Sequence, residues 1–95
     1  PDFTVREMLG ELAKIADSGE LKSAEVECSV RDMLSYFALE LGNFEQARTH
    51  ATKGVELARQ PGVEPQHAAT FHARLGRVLK DGGHRQKALE HFHQS

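Results

Sequence analysis

The chain carries the same turn signal twice. The segments LGNFEQA (residues 41–47) and DGGHRQKA (residues 81–88) each place a glycine five residues before an alanine, Gly42 before Ala47 and Gly83 before Ala88. Glycine accepts the positive φ that ends a helix, and a small alanine in the following helix lets two helices approach closely. Each segment therefore predicts a tight reversal between antiparallel helices, and a hairpin that occurs twice indicates a repeated helical architecture.

Apolar residues recur at helical spacing along most of the chain, and no useful length alternates with the two-residue period of a strand. We therefore predict an all-α fold of about five helices. The expected segments are residues 4–17, residues 21–41, a third helix from Phe44, a fourth from Pro65 and a fifth that contains Ala88, Leu89 and Phe92.

Residues at the expected helix starts support these segments. Thr4 and Glu7 have the spacing of a capping box, and Asn43 and Gln46 have the same spacing at the start of the third helix. Proline suits the first turn of a helix, which places Pro65 at the start of the fourth. The paired glycines of the second turn predict a sharp reversal between the fourth and fifth helices.

Alignment of the two hairpins on their alanines shows a repeat. The second unit reads His72, Leu75, Gly76, Leu79, Ala88 and Phe92, which resembles the tetratricopeptide repeat pattern W-x-x-L-G-x-x-Y followed by A-x-x-x-F. The first unit reads Arg31, Leu34, Ser35, Ala38, Gly42, Asn43, Phe44, Ala47 and Ala51. The alanines are 41 residues apart, against about 34 in the usual repeat, so the chain resembles a longer-repeat variant.

This resemblance covers residues 28–95 and implies a right-handed superhelical solenoid of antiparallel helix hairpins. We expect residues 1–95 to form a single domain or part of a longer array. Within it, residues 1–19 hold a leading helix, residues 21–60 the first repeat and residues 64–95 a second, truncated repeat.

In the tetratricopeptide family, the first helix of each hairpin lines a concave groove that binds a peptide or helix of a partner protein. The resemblance carries this role to eight residues: Asp32, Met33, Tyr36, Glu40, Thr70, Arg74, Arg77 and Asp81. Helical spacing independently places the last four on one face. Arg74 and Arg77 favour an acidic ligand, because a guanidinium forms paired, charge-assisted hydrogen bonds with a carboxylate. The alternative is a solvated face on which both arginines meet water and neighbouring acids.

Charge is distributed unevenly between the two halves of the chain. Residues 1–47 hold four Lys or Arg against ten Asp or Glu, whereas residues 48–95 hold eight against four, for an overall charge of −2. Opposed local potentials of this kind bear on partners. The alternative function is therefore structural self-assembly, in which acidic and basic halves pack head to tail as a homo-oligomer. A neighbouring domain of the same protein is a further expected partner.

Other classes of function lack their sequence signals. No nucleophile, base and oxyanion donors converge, so we expect no enzyme and no cofactor. His67 and His72, like His91 and His93, lack the i, i+4 spacing of paired ligands on a helix, so we expect no metal site. Cys28 lies in an apolar helical segment, which indicates a packing role.

The composition also bears on binding to membranes and nucleic acids and on the location of the chain in the cell. No apolar run approaches the roughly 20 residues of a membrane-spanning helix, and the basic residues are interleaved with acids in a slightly acidic chain. We therefore expect binding to neither membrane nor nucleic acid. A single cysteine and no leader before Pro1 favour a cytoplasmic location.

Overall fold

The computed structural model describes residues 4–94, apart from the side chain of Gln94, and these residues form four α-helices. Helix α1 spans Val5–Ser18, α2 spans Ala24–Glu40, α3 spans Phe44–Ala58 and α4 spans Pro65–Gln94. The described part of the chain contains no β-strand. The predicted all-α class is confirmed, whereas the superhelical solenoid stays a prediction.

Side chains cap the first two helices. The Oγ1 of Thr4 accepts a hydrogen bond from the backbone N–H of Glu7 at 3.1 Å, which confirms the predicted cap of α1. The Oγ of Ser23 accepts from the N–H of Val26 at 3.2 Å and begins α2. Each hydroxyl satisfies one of the N–H groups that the start of a helix leaves without a partner.

The turn between α2 and α3 is closed by the backbone. Gly42 has a φ of 78°, as the turn signal predicts. The N–H groups of Gly42 and Asn43 donate to the carbonyls of Leu39 at 3.0 Å and Ala38 at 2.8 Å. The predicted cap by the Asn43 side chain is wrong, because that side chain makes no capping hydrogen bond. Pro65 is the first residue of α4, which confirms its predicted place.

The second predicted reversal is absent, because α4 runs through Gly82 and Gly83 without a break. Among the described residues, a positive φ occurs only at Gly19, Gly42 and Gly62. A glycine inside a helix costs about 1 kcal/mol, and tertiary contacts can offset that cost. Two features near these glycines connect α4 with residues far away in the sequence.

The first is a hydrogen bond from Arg85 to the turn. Nη1 of Arg85 donates to the carbonyl of Gly42 at 3.3 Å. The second is at Gly82, where an added Cβ would lie 3.8 Å from the Phe44 ring. Both place α4 beside the turn between α2 and α3 and the start of α3. The expected fifth helix, with Ala88, Leu89 and Phe92, is therefore the last part of α4, and the described chain has four helices instead of about five.

The core lies where α2, α3 and α4 meet, and α1 packs mainly against α2 and reaches α3 through the ion pair of Asp17 with Lys53. Ala47 and Ala51 are fully buried, which confirms that α3 approaches its neighbours closely through small residues. Phe71 from α4 is also fully buried, and its ring packs over Gly54 of α3. Two apolar clusters fill the core, one containing Ala38, Leu39, Ala47 and Val78, the other Cys28, Ala51 and Phe71.

Candidate functional site

The eight residues predicted to bind a partner lie on the two helices that the prediction requires, α2 and α4, which contact each other. Three ion-pair or ring contacts join the two sets, so we name this region the α2/α4 surface. Its members are Asp32, Met33, Tyr36 and Glu40 on α2, and Thr70, Arg74, Arg77 and Asp81 on α4.

Arg74 joins the two helices near the centre of this surface. Its Nη2 donates to Oδ1 of Asp32 at 2.8 Å, and its guanidinium carbon lies 5.1 Å from the centre of the Tyr36 ring. A guanidinium at that distance is attracted by the ring quadrupole. The Nε of Arg74 is buried and has no hydrogen-bond partner among the described residues. One donor of this arginine is therefore unsatisfied.

Arg77 makes a second link between the helices. Its Nη2 donates to Oε1 of Glu40 at 2.8 Å, and its Nε donates to Oδ2 of Asp81 at 3.1 Å. These two hydrogen bonds raise the pKa of Arg77. The surface thus holds two arginines against three carboxylates, all of them paired. It is therefore not a basic groove, although both arginines lie on α4 and reach α2.

Apolar side chains remain open to solvent beside these ion pairs. Met33, Tyr36 and Phe37 are each 38–39% exposed. The rings of Tyr36 and Phe37 meet edge to face, with centroids 5.3 Å apart. Thr70 differs from these residues, because its hydroxyl donates to the carbonyl of Gln66 at 3.0 Å within its own helix. The exposed apolar side chains of the surface therefore lie on α2.

Two concavities in the structure lie elsewhere, and neither is lined by any of the eight residues. The larger, with a volume of ≈ 390 Å³, lies between α1, α2 and α3. The smaller, of ≈ 230 Å³, lies between α3 and α4 beside Phe44 and Leu79. The concave shape expected of the binding groove is therefore found on another part of the molecule.

Sequence reasoning missed a buried polar cluster around Arg31, whose side chain is only 3% exposed. Its Nε donates to Oε2 of Glu27 at 2.7 Å, and its Nη2 donates to Oδ1 of Asp17 at 3.0 Å and to the carbonyl of Ala16 at 3.2 Å. Its Nη1 lies 3.1 Å from Nδ1 of His50. We call Asp17, Glu27, Arg31, His50 and Lys53 the Arg31 cluster.

This cluster ties three helices together and shifts two pKa values. Burial, followed by the nearby charge of Arg31, lowers the pKa of His50. At Asp17, burial acts to raise the pKa, but hydrogen bonds from Lys53 and Arg31 outweigh it and lower the pKa. A sequence signal existed, because Arg31 falls on the same helical face as the buried residues Cys28, Ser35 and Ala38.

The other titratable groups of the described residues include His67 and Cys28. In residues 4–94, no three His, Cys, Asp or Glu side chains come together in a way that could hold a metal ion. Nε2 of His67 lies 2.9 Å from Oε1 of Glu25. Cys28 is fully buried, and burial with the charges of Glu25 and Glu27 raises the pKa of its thiol. Its predicted packing role is confirmed.

No helix in the described residues has the length and apolar character needed to cross a membrane. Comparison of the chain with family models, with curated proteins and with solved structures gave no significant match. The resemblance to tetratricopeptide repeats therefore stays a prediction.

Proposed function

We propose that this protein is a non-enzymatic interaction module that binds a peptide or helix of a partner protein on the α2/α4 surface. One observation carries the proposal. Exposed apolar side chains and ion-paired arginines lie side by side on two adjacent helices, and the Arg74 guanidinium rests on the ring of Tyr36. Aromatic and arginine side chains of this kind supply most of the energy at protein interfaces.

The ion pairs also reduce the cost of binding. Ordering a long side chain at an interface costs about 0.5–1.5 kcal/mol. Arg74 and Arg77 are already held by Asp32 and Glu40, so less of this entropy is lost when a ligand arrives. The surface is in this sense partly organised before it meets a partner.

The same pairs modify the chemistry expected of the ligand. A ligand carboxylate must share Arg74 and Arg77 with the acids that already hold them. We therefore propose an amphipathic ligand whose apolar residues contact Met33, Tyr36 and Phe37. An acidic residue in the ligand would then set its orientation, since charged groups at an interface contribute more to specificity than to affinity.

Self-assembly through acidic and basic halves receives less support from the contacts. Several acids of the first half are paired with bases of the second half within one chain. Such ion pairs include those of Asp17 with Lys53, Asp32 with Arg74 and Glu40 with Arg77. Charges that are neutralised inside one molecule contribute less to an attraction between molecules.

The proposal is tested with helical peptides selected by display against the whole protein, followed by calorimetry on purified variants. We expect Met33→Ala combined with Tyr36→Ala to weaken binding at least about tenfold, as loss of an interface anchor does. The matched control is Val5→Ala combined with Met8→Ala, which removes apolar groups of similar exposure from α1. If only the control pair weakens binding, the α2/α4 surface is not the site.

A second pair of variants tests the arginines. Arg74→Ala combined with Arg77→Ala should lower the affinity for an acidic peptide more than the affinity for a neutral version of the same peptide. Arg48→Ala combined with Arg59→Ala removes two exposed arginines from the α3 side and serves as control. An equal loss of affinity for both peptides would show that the two arginines do not recognise the charge of the ligand.

A further inference from the structure

The larger concavity is a groove with α2 as its floor and α1 and α3 as its walls. Leu34, Ala38 and Leu41 form an apolar floor. Gly10 lies on the α1 wall, where an added Cβ would meet no atom within 4 Å. The volume of ≈ 390 Å³ falls within the range of small-molecule sites, about 300–1,000 Å³. We call this region the α1/α3 groove.

His50 is a polar residue on the α3 wall of this groove. The residue is only 9% exposed. Burial, followed by the charge of Arg31, lowers the pKa of His50, so the ring is neutral at neutral pH. Its Nδ1 lies 3.1 Å from Nη1 of Arg31. Because arginine can only donate, Nδ1 is the acceptor and the ring carries its proton on Nε2.

The Nε2–H group of His50 has no hydrogen-bond partner among the described residues. In that part of the chain, Nε of Arg74 is the only enclosed side-chain nitrogen or oxygen that lacks a partner. Nε2 of His50 is therefore not enclosed, and it opens on the space that the ring lines. A ligand that covers this donor must supply an acceptor, because an unpaired buried donor loses its hydration without compensation.

The charges around His50 balance one another. Arg31 and Lys53 both pair with Asp17, at 3.0 Å and 3.1 Å. Arg31 also pairs with Glu27 at 2.7 Å. Two cations against two carboxylates leave no net charge at this end of the groove. A neutral oxygen acceptor therefore suits His50 better than a further carboxylate, whose desolvation would have no free cation to offset it.

The opposite end of the groove carries a free cation. Arg6 lies in the first turn of α1 and lines the groove, and no ion pair or hydrogen bond joins its guanidinium to another described residue. The carboxylate at this end, Glu45, is already paired with Arg48. The side-chain amides of Asn43 and Gln46 line the same end and add N–H donors. This end therefore favours an anionic group.

The distance between the two ends sets the length of the ligand. His50 follows Asn43 by seven residues on the α3 side. At about 1.5 Å per residue this is roughly 10 Å, the extended length of a chain of about ten carbon atoms. Leu9 and Ala13 lie on the opposite wall, and the apolar floor runs between the walls. The space between the two polar ends therefore suits an apolar chain.

We propose that the α1/α3 groove binds an elongated amphiphilic carboxylate, in which an apolar chain separates the anionic group from a neutral oxygen acceptor. The carboxylate lies at Arg6, the chain covers the floor, and the acceptor receives the Nε2–H of His50. Hydroxylated medium-chain fatty acids belong to this chemical class. None of the eight residues of the α2/α4 surface lines the groove, so this site is separate from the proposed peptide binding and each can fail without the other.

The test uses calorimetry on the whole protein, with ω-hydroxydecanoate below the concentration at which it forms micelles. We expect a dissociation constant of about 1 mM or lower. Decanoate should bind about fivefold more weakly, because its methyl end covers the N–H of His50 without accepting from it. Decanediol, which lacks the charge, should also bind more weakly. A merely apolar groove gives the opposite order for decanoate, since the hydroxyl group then only costs desolvation.

Two pairs of variants locate the site. Arg6→Gln should weaken ω-hydroxydecanoate about fivefold and change the affinity for decanediol by less than about twofold. Arg59→Gln is its control, because Arg59 is exposed and lies outside the groove. Gly10→Trp should abolish binding, since it adds an indole to a lining position that has open space. Gly76→Trp is the matched control with open space outside the groove.

Nitrogen NMR of the histidine side chains reports the contact with His50 directly. Addition of ω-hydroxydecanoate should move the Nε2 signal of His50 and leave that of the exposed His72 in place. The proposal is overturned if ω-hydroxydecanoate does not bind at concentrations up to about 1 mM, if decanoate binds more tightly, or if Gly10→Trp leaves binding unchanged. An unchanged Nε2 signal of His50 in the bound protein would also overturn it.

Discussion

The guanidinium of Arg31 on α2 lies against the imidazole of His50 on α3, with Nη1 of the arginine 3.1 Å from Nδ1 of the histidine. Arginine can only donate, so Nδ1 must be the acceptor and His50 must be neutral, with its proton on Nε2. Protonation of His50 would place two cations in contact within a buried site. This relationship makes the Arg31 cluster the part of the fold most sensitive to mutation and to acid.

Removal of the arginine is the first prediction. Arg31→Ala should lower the free energy of unfolding by about 3 kcal/mol, because it leaves buried partners of the arginine unpaired. Urea unfolding measures the change. Arg48→Ala is the control, since Arg48 is 62% exposed and only 3.6 Å from Glu45, and its loss should cost under about 1 kcal/mol. If both variants lost the same free energy of unfolding, the result would contradict a stabilising role of the buried Arg31 cluster.

The second prediction concerns pH. The pKa of His50 is lower in the folded protein than its unfolded value near 6.5, so the unfolded chain binds more protons in the window below that value. Stability is therefore fully present above pH 6.5 and falls as the pH drops. His50→Asn keeps an acceptor for Arg31 but cannot titrate. We expect this variant to lose less stability than wild type between pH 7 and pH 5, measured by urea unfolding about every half unit.

Gly54 and Phe71 give a third prediction. A Cβ added at Gly54 would lie 2.5 Å from the fully buried Phe71 ring, so the two helices would have to separate. Gly54→Ala should destabilise the protein by about 1–3 kcal/mol in spite of the higher helix propensity of alanine. Gly76→Ala, where the added methyl group has open space, should instead stabilise it by up to about 1 kcal/mol. A stabilising Gly54→Ala would show that this packing is not as close as described.

The continuous α4 gives a fourth prediction. Gly83 has a helical φ and open space around its Cβ position, so Gly83→Ala should raise helicity and stabilise the protein by about 1 kcal/mol. Gly42→Ala is the contrasting variant, because Gly42 has a φ of 78° and alanine there is strained. Circular dichroism and urea unfolding report both. A destabilising Gly83→Ala would support the reversal and the separate fifth helix that the sequence pattern predicts.

Much of the local structure could be predicted from the sequence. Thr4, Gly42 and Pro65 act at the positions that their spacing indicates, and the apolar stripes predict the buried Ala47 and Ala51. These features depend on residues within one or two helical turns, so a short window contains the information. The placement of the α2/α4 residues on adjacent helices also agrees with the pattern.

The arrangement of distant residues could not be predicted in the same way. Arg74 and Arg77 suggested a basic groove because their partners, Asp32 and Glu40, lie about forty positions away in the chain. Arg31 occupied a position that the repeat pattern assigns to a large apolar side chain, and only the approach of α1 and α3 shows why a charge is accepted there.

At Gly82 and Gly83, local backbone preference alone does not decide the structure, and tertiary contacts do. By itself the sequence determined that helices form, where most of them begin, and that glycine permits a turn at two places, since these depend on local backbone preference. Only the tertiary structure decided that one turn is used and the other is not. A glycine allows both states at similar cost, and the contacts of Arg85 with Gly42 and of Gly82 with Phe44 favour the straight helix.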